Sequence, residues 1–394
     1  METEPKTLNF RDTKTAFASK DNAALKRAYW LFTMISKPWM VDIGKVLMDI
    51  SLKLHLPIEG LVKKTIFSQF VGGETAQEAD DNTDDLADYG IGTILDFSVE
   101  GQDESESFDR STEEILKTVD IAAATKMVPF SVFKPSGVGP FGLWVKASAG
   151  LDLSAKEEVE WRATMSRIHA ICDRADEKGT PVLIDAEESW MQDGADEVVE
   201  QLMARHNRGR AIVYHTLQMY RHDRLAYLKR LHERAEREGW ILAVKLVRGA
   251  YMEKERERAE QRAYPDPIHS SKQSTDKDFD AALEFCIEHV DRIHFMCGTH
   301  NEKSTLFLTE RMAQKGIDPN DQRIYFAQLY GMSDHISYNL VAAGYNVAKY
   351  VPYGPVREVM PYLIRRAQEN TSAAGQTGRE LSLIMQEMKR RKGI

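Results

Sequence analysis

Cysteine is scarce in this chain, and long apolar runs are missing. Cys172, Cys286 and Cys297 stand far apart with no CxxC spacing, which argues against a disulfide framework or a thiolate metal site and points to a reducing compartment. No window approaches the 18 or so uncharged apolar residues that a membrane-spanning helix needs. A basic excess is absent too: 52 Lys and Arg against 61 Asp and Glu leave a net charge of -9, so no nucleic-acid-binding surface is expected. Neither a dinucleotide-binding glycine fingerprint after a strand nor a GxxxxGK[ST] loop is read from the chain. HExxH, an Asp-rich loop and a nucleophile elbow are also missing, so no metal is expected and hydrolase chemistry has no support. The opening METEPKTLNF holds two acidic residues and no apolar core segment. Without a visible targeting signal, the expectation is a cytoplasmic protein, with peripheral contact to the inner membrane left open.

What is present is a repeating design. Residues 8 to 66 carry helical spacing, in AALKRAYWLFTMI and VDIGKVLMDISLKL, and TAQEADDNTDDLADYG reads as a helix capped by Thr75 and closed at Gly90. Eight short apolar runs follow, at 92–100, 126–134, 181–189, 211–218, 241–249, 292–300, 323–331 and 345–354, each succeeded by a helical pattern. Such alternation implies βαβ units and a parallel sheet buried on both faces; eight units fit an α/β (β/α)8 TIM-type barrel. A doubly wound open sheet is the alternative. The boundaries read as an N-terminal helical segment over 1–90, the barrel over 91–372, and a C-terminal helical tail over 373–394.

The ends of these runs favour the barrel. Asp96 and Glu100, Lys134, Asp185, Gln218, Lys245 and Arg248, Thr299 and His300, Gln328 and Tyr350 fall at or near them, and in a barrel all C-terminal strand ends open onto one mouth. Lys134 and Lys245 are read as lying inside buried strands, where an unpaired ammonium is costly. In VKLVRGAY, Gly249 permits a close approach or an unusual φ, and a cation nearby could stabilise charge developing on a bound group. An ion pair with a neighbouring strand's aspartate is the plainer reading. GTHN (298–301) offers a hydroxyl, an imidazole and an amide near backbone N–H groups, a weak phosphate-binding signal. Late in the chain, Tyr362, Arg365, Arg366 and Glu369 share one helix face at i, i+3, i+4 and i+7. Paired guanidinium groups suit a small carboxylate, though an ordinary Arg365 to Glu369 pair on a solvated turn is also compatible. In the last helical run, Leu381, Ile384, Met385 and Met388 form an apolar face for packing on the barrel, with a membrane or partner as the second reading.

Taken in order, LDFSVEG, FSVFKPSG, IDAEES, TLQMY, VKLVRGAYMEKER, YPDPI, GTHN, FAQLYGMSD, YVPYGP and YLIRRAQENTS resemble the proline dehydrogenase family, and its monofunctional mitochondrial-type branch in particular. The resemblance implies a barrel whose last helix lies over the mouth, holding non-covalent FAD with L-proline stacked on the flavin and a quinone as electron acceptor. It implies that Arg365 and Arg366 bind the substrate carboxylate with help from Lys134. Tyr251, Leu329, Tyr350 and Tyr362 would wall the ring, and Glu100 would close the site on Arg365. For FAD the implied positions are Gln218, Lys245, Arg248 with Gly249, the Thr299-His300-Asn301 run, Gln328 and Glu369; Asp185 is an active-site carboxylate nearby. Lys245 then Arg248 reverses the order of the bifunctional branch, and Met252 stands where a tryptophan is common there. Hydroxyproline dehydrogenase is the rival on this scaffold, with a serine expected at Tyr350. A non-catalytic carboxylate-binding barrel is the rival of another class. No oligomeric state is implied.

Overall fold

The structure, a computed structural model, describes residues 8–37, 39–40, 59–98, 105–372 and 376–393. Its eight strands are β1 (Gly92–Phe97), β2 (Ser131–Phe133), β3 (Val182–Ile184), β4 (Val213–Gln218), β5 (Leu242–Val247), β6 (Ile293–Gly298), β7 (Ile324–Leu329) and β8 (Val347–Tyr353). Each lies inside one of the eight apolar runs. Residues of β4 and β8 are buried throughout and β5 nearly so, because a parallel strand covered on both faces has no solvated side to make polar. The strands run parallel in the order β1-β8-β7-β6-β5-β4-β3-β2, with helices between them, in a nearly closed (β/α)8 barrel. That sets aside the open doubly wound sheet.

The chain divides into two compact units. Residues 101–327 contain β2 to β6, most of β7 and the helices between them. Local chemistry defines these helix starts: Ser154 and Glu157 form a reciprocal capping box ahead of Ala155–Lys178, and Asn301 accepts from Lys303 N and Ser304 N ahead of Glu302–Gln314. Each satisfies N–H groups that the first turn leaves unpaired.

The second unit joins residues 1–100 to 328–394. Its apolar cluster draws Phe17, Leu25 and Phe32 from the N-terminal segment, Phe70, Leu363 from the helix Met360–Ser372, and Leu383 and Ile384 from Gln376–Arg391. Burial of each large side chain is worth roughly 1.5–3 kcal/mol, and the Phe32 and Phe70 rings meet edge to face at 6.3 Å. The helix Asn22–Ile35 realises the AALKRAYWLFTMI run; the VDIGKVLMDISLKL run lies outside the described residues.

Three expectations need correction here. The segment after Thr75 is two helices, Ala76–Asp81 and Asp84–Asp88. At the break Asn82 donates to Gly72 O and Thr83 donates to Ala79 O, so side chains that compete with the helix ladder interrupt it. In the last helix the buried face is centred on Leu383 and Ile384 and packs near the N-terminal helices, whereas Met385 is exposed. Two carboxylates complete that face: Glu380 accepts from Ser333 N, and Glu387 is held by Arg390 and Arg391. Lys134, finally, lies one residue beyond β2, half-buried ahead of the 3-10 turn Pro135–Gly137. No described helix is long and apolar enough to cross a membrane.

Candidate functional site

In the unit 101–327, the segment Asp185-Ala186-Glu187-Glu188-Ser189 after β3 ties three other strand ends together, those of β2, β4 and β5. Asp185 accepts from Lys245 Nζ on β5. Lys245 is 4% exposed, so this ion pair neutralises an ammonium that burial would otherwise disfavour. The partner is on the next strand but one, because alternate barrel strands supply the same interior layer; the plainer reading of the VKLVRGAY cation is therefore correct in kind for Lys245. Glu187 accepts from Ser136 N at 2.9 Å and Ser136 Oγ at 2.5 Å, and its own carbonyl accepts from Gln218 Nε2 at 2.6 Å. Burial pushes the Glu187 carboxyl up to about 7 despite the hydrogen bonds from Ser136. Glu188 pairs with Lys254 at 3.1 Å. Ser189 donates through N and Oγ to the buried carboxylate of Glu255, both at 2.6 Å, and burial raises that carboxyl's pKa.

Arg248, just past β5, is held on several sides. Its Nε donates to Asp276 at 2.7 Å, its Nη1 to Thr299 Oγ1 at 2.7 Å and its Nη2 to Ser304 Oγ at 2.9 Å, while Phe279 lies 4.3 Å below the guanidinium. Burial opposes ionisation of Asp276, but Lys272 and Arg248 hold its carboxyl below the ordinary range. Three of the five guanidinium N–H groups are thus committed to protein, and the fork's orientation is set by contacts on either flank. Thr299 Oγ1 also accepts from Asn301 N at 3.1 Å, which folds the Thr299-His300-Asn301 run against Arg248. His300 and Asn301 are half-buried there. This donor set, a fixed guanidinium with hydroxyl groups beside a helix start, fits an anionic phosphate-bearing group. Tyr251 precedes the helix Met252–Arg262, with Lys254 Nζ 5.7 Å from its ring.

Two glycine readings change. Gly249 has φ +132°, and a Cβ there would come 2.5 Å from the Tyr220 ring, so the close approach it permits is made by a side chain of the protein. The run Gly137-Val-Gly-Pro-Phe-Gly142 does have G-x-G-x-x-G spacing after β2, against the expectation. In it Gly139 faces Thr164, 2.2 Å from where a Cβ would lie; the reason for that glycine is helix packing, not a phosphate.

In the other unit, Gln328 on β7 is buried and accepts from Ser337 Oγ at 2.8 Å. Leu329 packs against the apolar cluster, and the Tyr350 carbonyl on β8 accepts from Tyr330 N at 2.8 Å. The PYLIRRAQEN run does form a helix, Met360–Ser372. Tyr362 and Arg366 are buried, with the Arg366 guanidinium 5.3 Å from the Tyr362 ring, and Arg365 is half-buried. That is the i, i+4 contact their spacing implies. Glu100 and the side chain of Glu369 lie outside the described residues, and with them the proposed gate and the Arg365 to Glu369 pair.

Sequence reasoning passed over Glu187, Glu255, Asp276 and Ser304. The DAEES segment carried a signal, since four polar side chains directly after a buried strand have to find partners; nothing marked Asp276 among the acids of STDKDFD. The cysteines are buried thiols in helices and β6, with Cys297 pushed up to about 12 by burial.

Residues 79–379 match the family model for proline dehydrogenase. The chain is 34% identical over 335 residues to the carbapenem antibiotics biosynthesis protein CarD of Pectobacterium carotovorum subsp. carotovorum, covering 84% of this chain and 86% of that one. It is 31% identical over 426 residues to the mitochondrial proline dehydrogenase 1 of Dictyostelium discoideum, covering 96% and 74%. To the hydroxyproline dehydrogenase of Xenopus laevis it is 32% identical over 422 residues, covering 98% and 90%. Among solved structures, proline utilization A from Bdellovibrio bacteriovorus, inactivated by N-propargylglycine, superposes with a TM-score of 0.70 at 20% identity. The match covers 92% of this chain but 36% of that longer protein, and shows the fold. With the barrel, the family match over most of the chain and relatives aligned along about three quarters or more of their length, the chain belongs to the proline dehydrogenase family of oxidoreductases.

Proposed function

We propose that the protein oxidises L-proline to Δ1-pyrroline-5-carboxylate with FAD, the electrons passing to a quinone. Beyond family membership, the observation that carries this reading is the pair of fixed cations at the end of β5, Lys245 on Asp185 and Arg248 on Asp276, Thr299 and Ser304. Cations held rigidly in a site shielded from water stabilise negative charge at little reorganisation cost. The chemistry FAD supplies when bound is acceptance, at N5, of the hydride leaving proline C5. Gln218, Lys245, Arg248, Gly249, Thr299, His300, Asn301, Gln328 and Glu369 are the positions that would hold it.

In this reading Arg365 and Arg366 grip the carboxylate, Lys134 adds a third positive charge, and Tyr251, Leu329, Tyr350 and Tyr362 wall the ring. Stacking on Tyr362 limits the rotamers of Arg366 before substrate arrives, which lowers the ordering cost of binding. Asp185 orients Lys245, and Glu100 closes over Arg365. Anaerobic mixing of FAD-reconstituted protein with L-proline should bleach the flavin band; a band that L-proline leaves unchanged while NADH reduces it would reject the assignment. The likeness to a hydroxyproline dehydrogenase favours a second reading, oxidation of trans-4-hydroxy-L-proline. Tyr350, larger than serine, narrows the space for a 4-hydroxyl, so kcat/KM should favour L-proline.

A further inference from the structure

Glu187 touches three parts of the fold through three different groups. Its carboxylate takes both the N–H and the hydroxyl of Ser136, two residues beyond Lys134 in the turn after β2. Its carbonyl takes the side-chain amide of Gln218 at the end of β4, and its N–H donates to Gln192 Oε1 in the following helix at 3.0 Å. The residue is buried, so these bonds compete little with water. A carboxylate accepting two convergent hydrogen bonds from one residue acts as a clip on the backbone that carries them.

We propose that Glu187 is a positioning residue: by clipping Ser136 it fixes the turn that bears Lys134, and through its carbonyl it fixes Gln218. One residue after β3 would then set a cation on the substrate side and an amide on the cofactor side together. This rests on the reading of Lys134 and Gln218 given above. The groups acting on the carboxylate are Ser136 and Lys134 from the turn after β2 and Glu188 from its own loop, with Lys134 lowering and Glu188 raising its pKa, although burial dominates. Ionised, Glu187 places a negative charge within reach of Lys134 and weakens that lysine's hold on a carboxylate; neutral, it does not. The KM for L-proline in the wild-type protein should therefore rise as pH passes through neutrality.

The test compares wild type, Glu187→Ala, Glu187→Gln and Ser136→Ala as FAD-loaded full chains. Glu187→Ala should raise KM about tenfold, the size of effect expected when one well-held contact is lost, with kcat little changed. Its FAD affinity should stay within twofold of wild type by fluorescence titration, because the carbonyl to which Gln218 donates remains in alanine. Glu187→Gln keeps an acceptor for Ser136, so it should restore most of the KM while abolishing the inflection near neutral pH. Ser136→Ala removes one of the two bonds and should raise KM by a smaller factor. A KM within twofold of wild type in Glu187→Ala, or an unchanged inflection in Glu187→Gln, overturns the proposal. Should Glu187→Ala not fold, the Glu187→Gln pH profile and the Ser136→Ala KM decide it. Failure of L-proline to bleach the wild-type flavin would refute the functional reading instead; a urea-unfolding double-mutant cycle of Glu187→Ala and Ser136→Ala then still tests the clip, with additive losses overturning it.

Discussion

Replacing Asp334 by asparagine removes one charge from the start of the helix after β7 and leaves the side chain's shape almost unchanged. In the wild-type protein Asp334 accepts from Lys349 Nζ at 2.9 Å and lies 3.1 Å from Lys20 Nζ. Burial pushes its carboxyl up, but the two ammonium groups outweigh that and hold it well below the ordinary range. The two cations are not equivalent. Lys20 has a side chain 25% exposed and regains water when its partner is lost, so that bridge is worth no more than about 1 kcal/mol. Lys349 is 1% exposed within β8, and its remaining acceptor is the carbonyl of Met332. An uncompensated ammonium there costs about 3–5 kcal/mol, the range for breaking a buried pair.

Asp334→Asn should therefore lower the free energy of unfolding by about 3–5 kcal/mol, and Lys20→Met by about 1 kcal/mol or less. The double variant Asp334→Asn/Lys349→Met removes both buried charges and should recover most of the loss, because apolar replacement of a whole buried pair is often neutral. Equilibrium urea unfolding followed by tryptophan fluorescence measures all of these. Since the folded-state pKa is depressed, the contribution is present above the ordinary carboxylate value of about 4 and shrinks as pH falls below it. Asp334→Asn and wild type should thus converge in acid. A loss under about 1 kcal/mol in Asp334→Asn, or a double variant whose cost equals the sum of the two single ones, would refute the reasoning.

Arg248→Lys keeps the charge but loses the fork contacts to Thr299 and Ser304 and the contact with Phe279; the FAD dissociation constant should rise about tenfold by fluorescence titration, and an unchanged constant would remove Arg248 from the cofactor site. Tyr350→Ser should move the kcat/KM ratio towards trans-4-hydroxy-L-proline by about tenfold or more, consistent with specificity set by one pocket wall, and a ratio that stays put would show that Tyr350 does not line the ring. For Glu187 the sign is opposite to that of Asp334: its folded-state pKa is raised to about 7 from 4.5, so the fold binds its proton more tightly than the unfolded chain. Its contribution is complete below the unfolded value and is lost between about pH 4.5 and 7, amounting to roughly 3 kcal/mol. Stability curves of wild type and Glu187→Gln should differ in slope across that window, and parallel curves would count against a buried, protonated Glu187.

The barrel was legible because its strands are buried on both faces, so their composition alone separates them from the amphipathic helices between them. The break at Asn82-Thr83 was not, since helical spacing continues through it and the interruption depends on Asn82 reaching Gly72, ten residues earlier. The last helix shows the same difficulty in another form. Its apolar residues were read as the packing face, yet Glu380 and Glu387 are buried beside Leu383 and Ile384. A carboxylate turns inward only when its partners are assured. Those partners are Ser333 N, distant in sequence, and Arg390 and Arg391, which in the sequence look like a solvated basic tail.

The candidate site divides along the same line. A contact that follows from local spacing is legible: the i, i+4 approach of Tyr362 and Arg366 belongs to a single helix and needs no knowledge of the fold. Lys245 was found for a different reason, because an ammonium inside an apolar run must have a partner, even though the run does not say that the partner is Asp185 on the next strand but one. Glu187 was passed over although its neighbours were named, since the run DAEES shows polar residues after a strand without showing which of them is enclosed. Enclosure is what gives it weight. An exposed glutamate two residues from Asp185 would add a screened surface charge worth little, whereas one buried against Ser136 holds a loop and carries a proton near neutral pH. A strand end crowded with polar residues is therefore better treated as a set of obligations to be met by other loops than as a list of separate catalytic candidates, and the loop after β3 meets several of them.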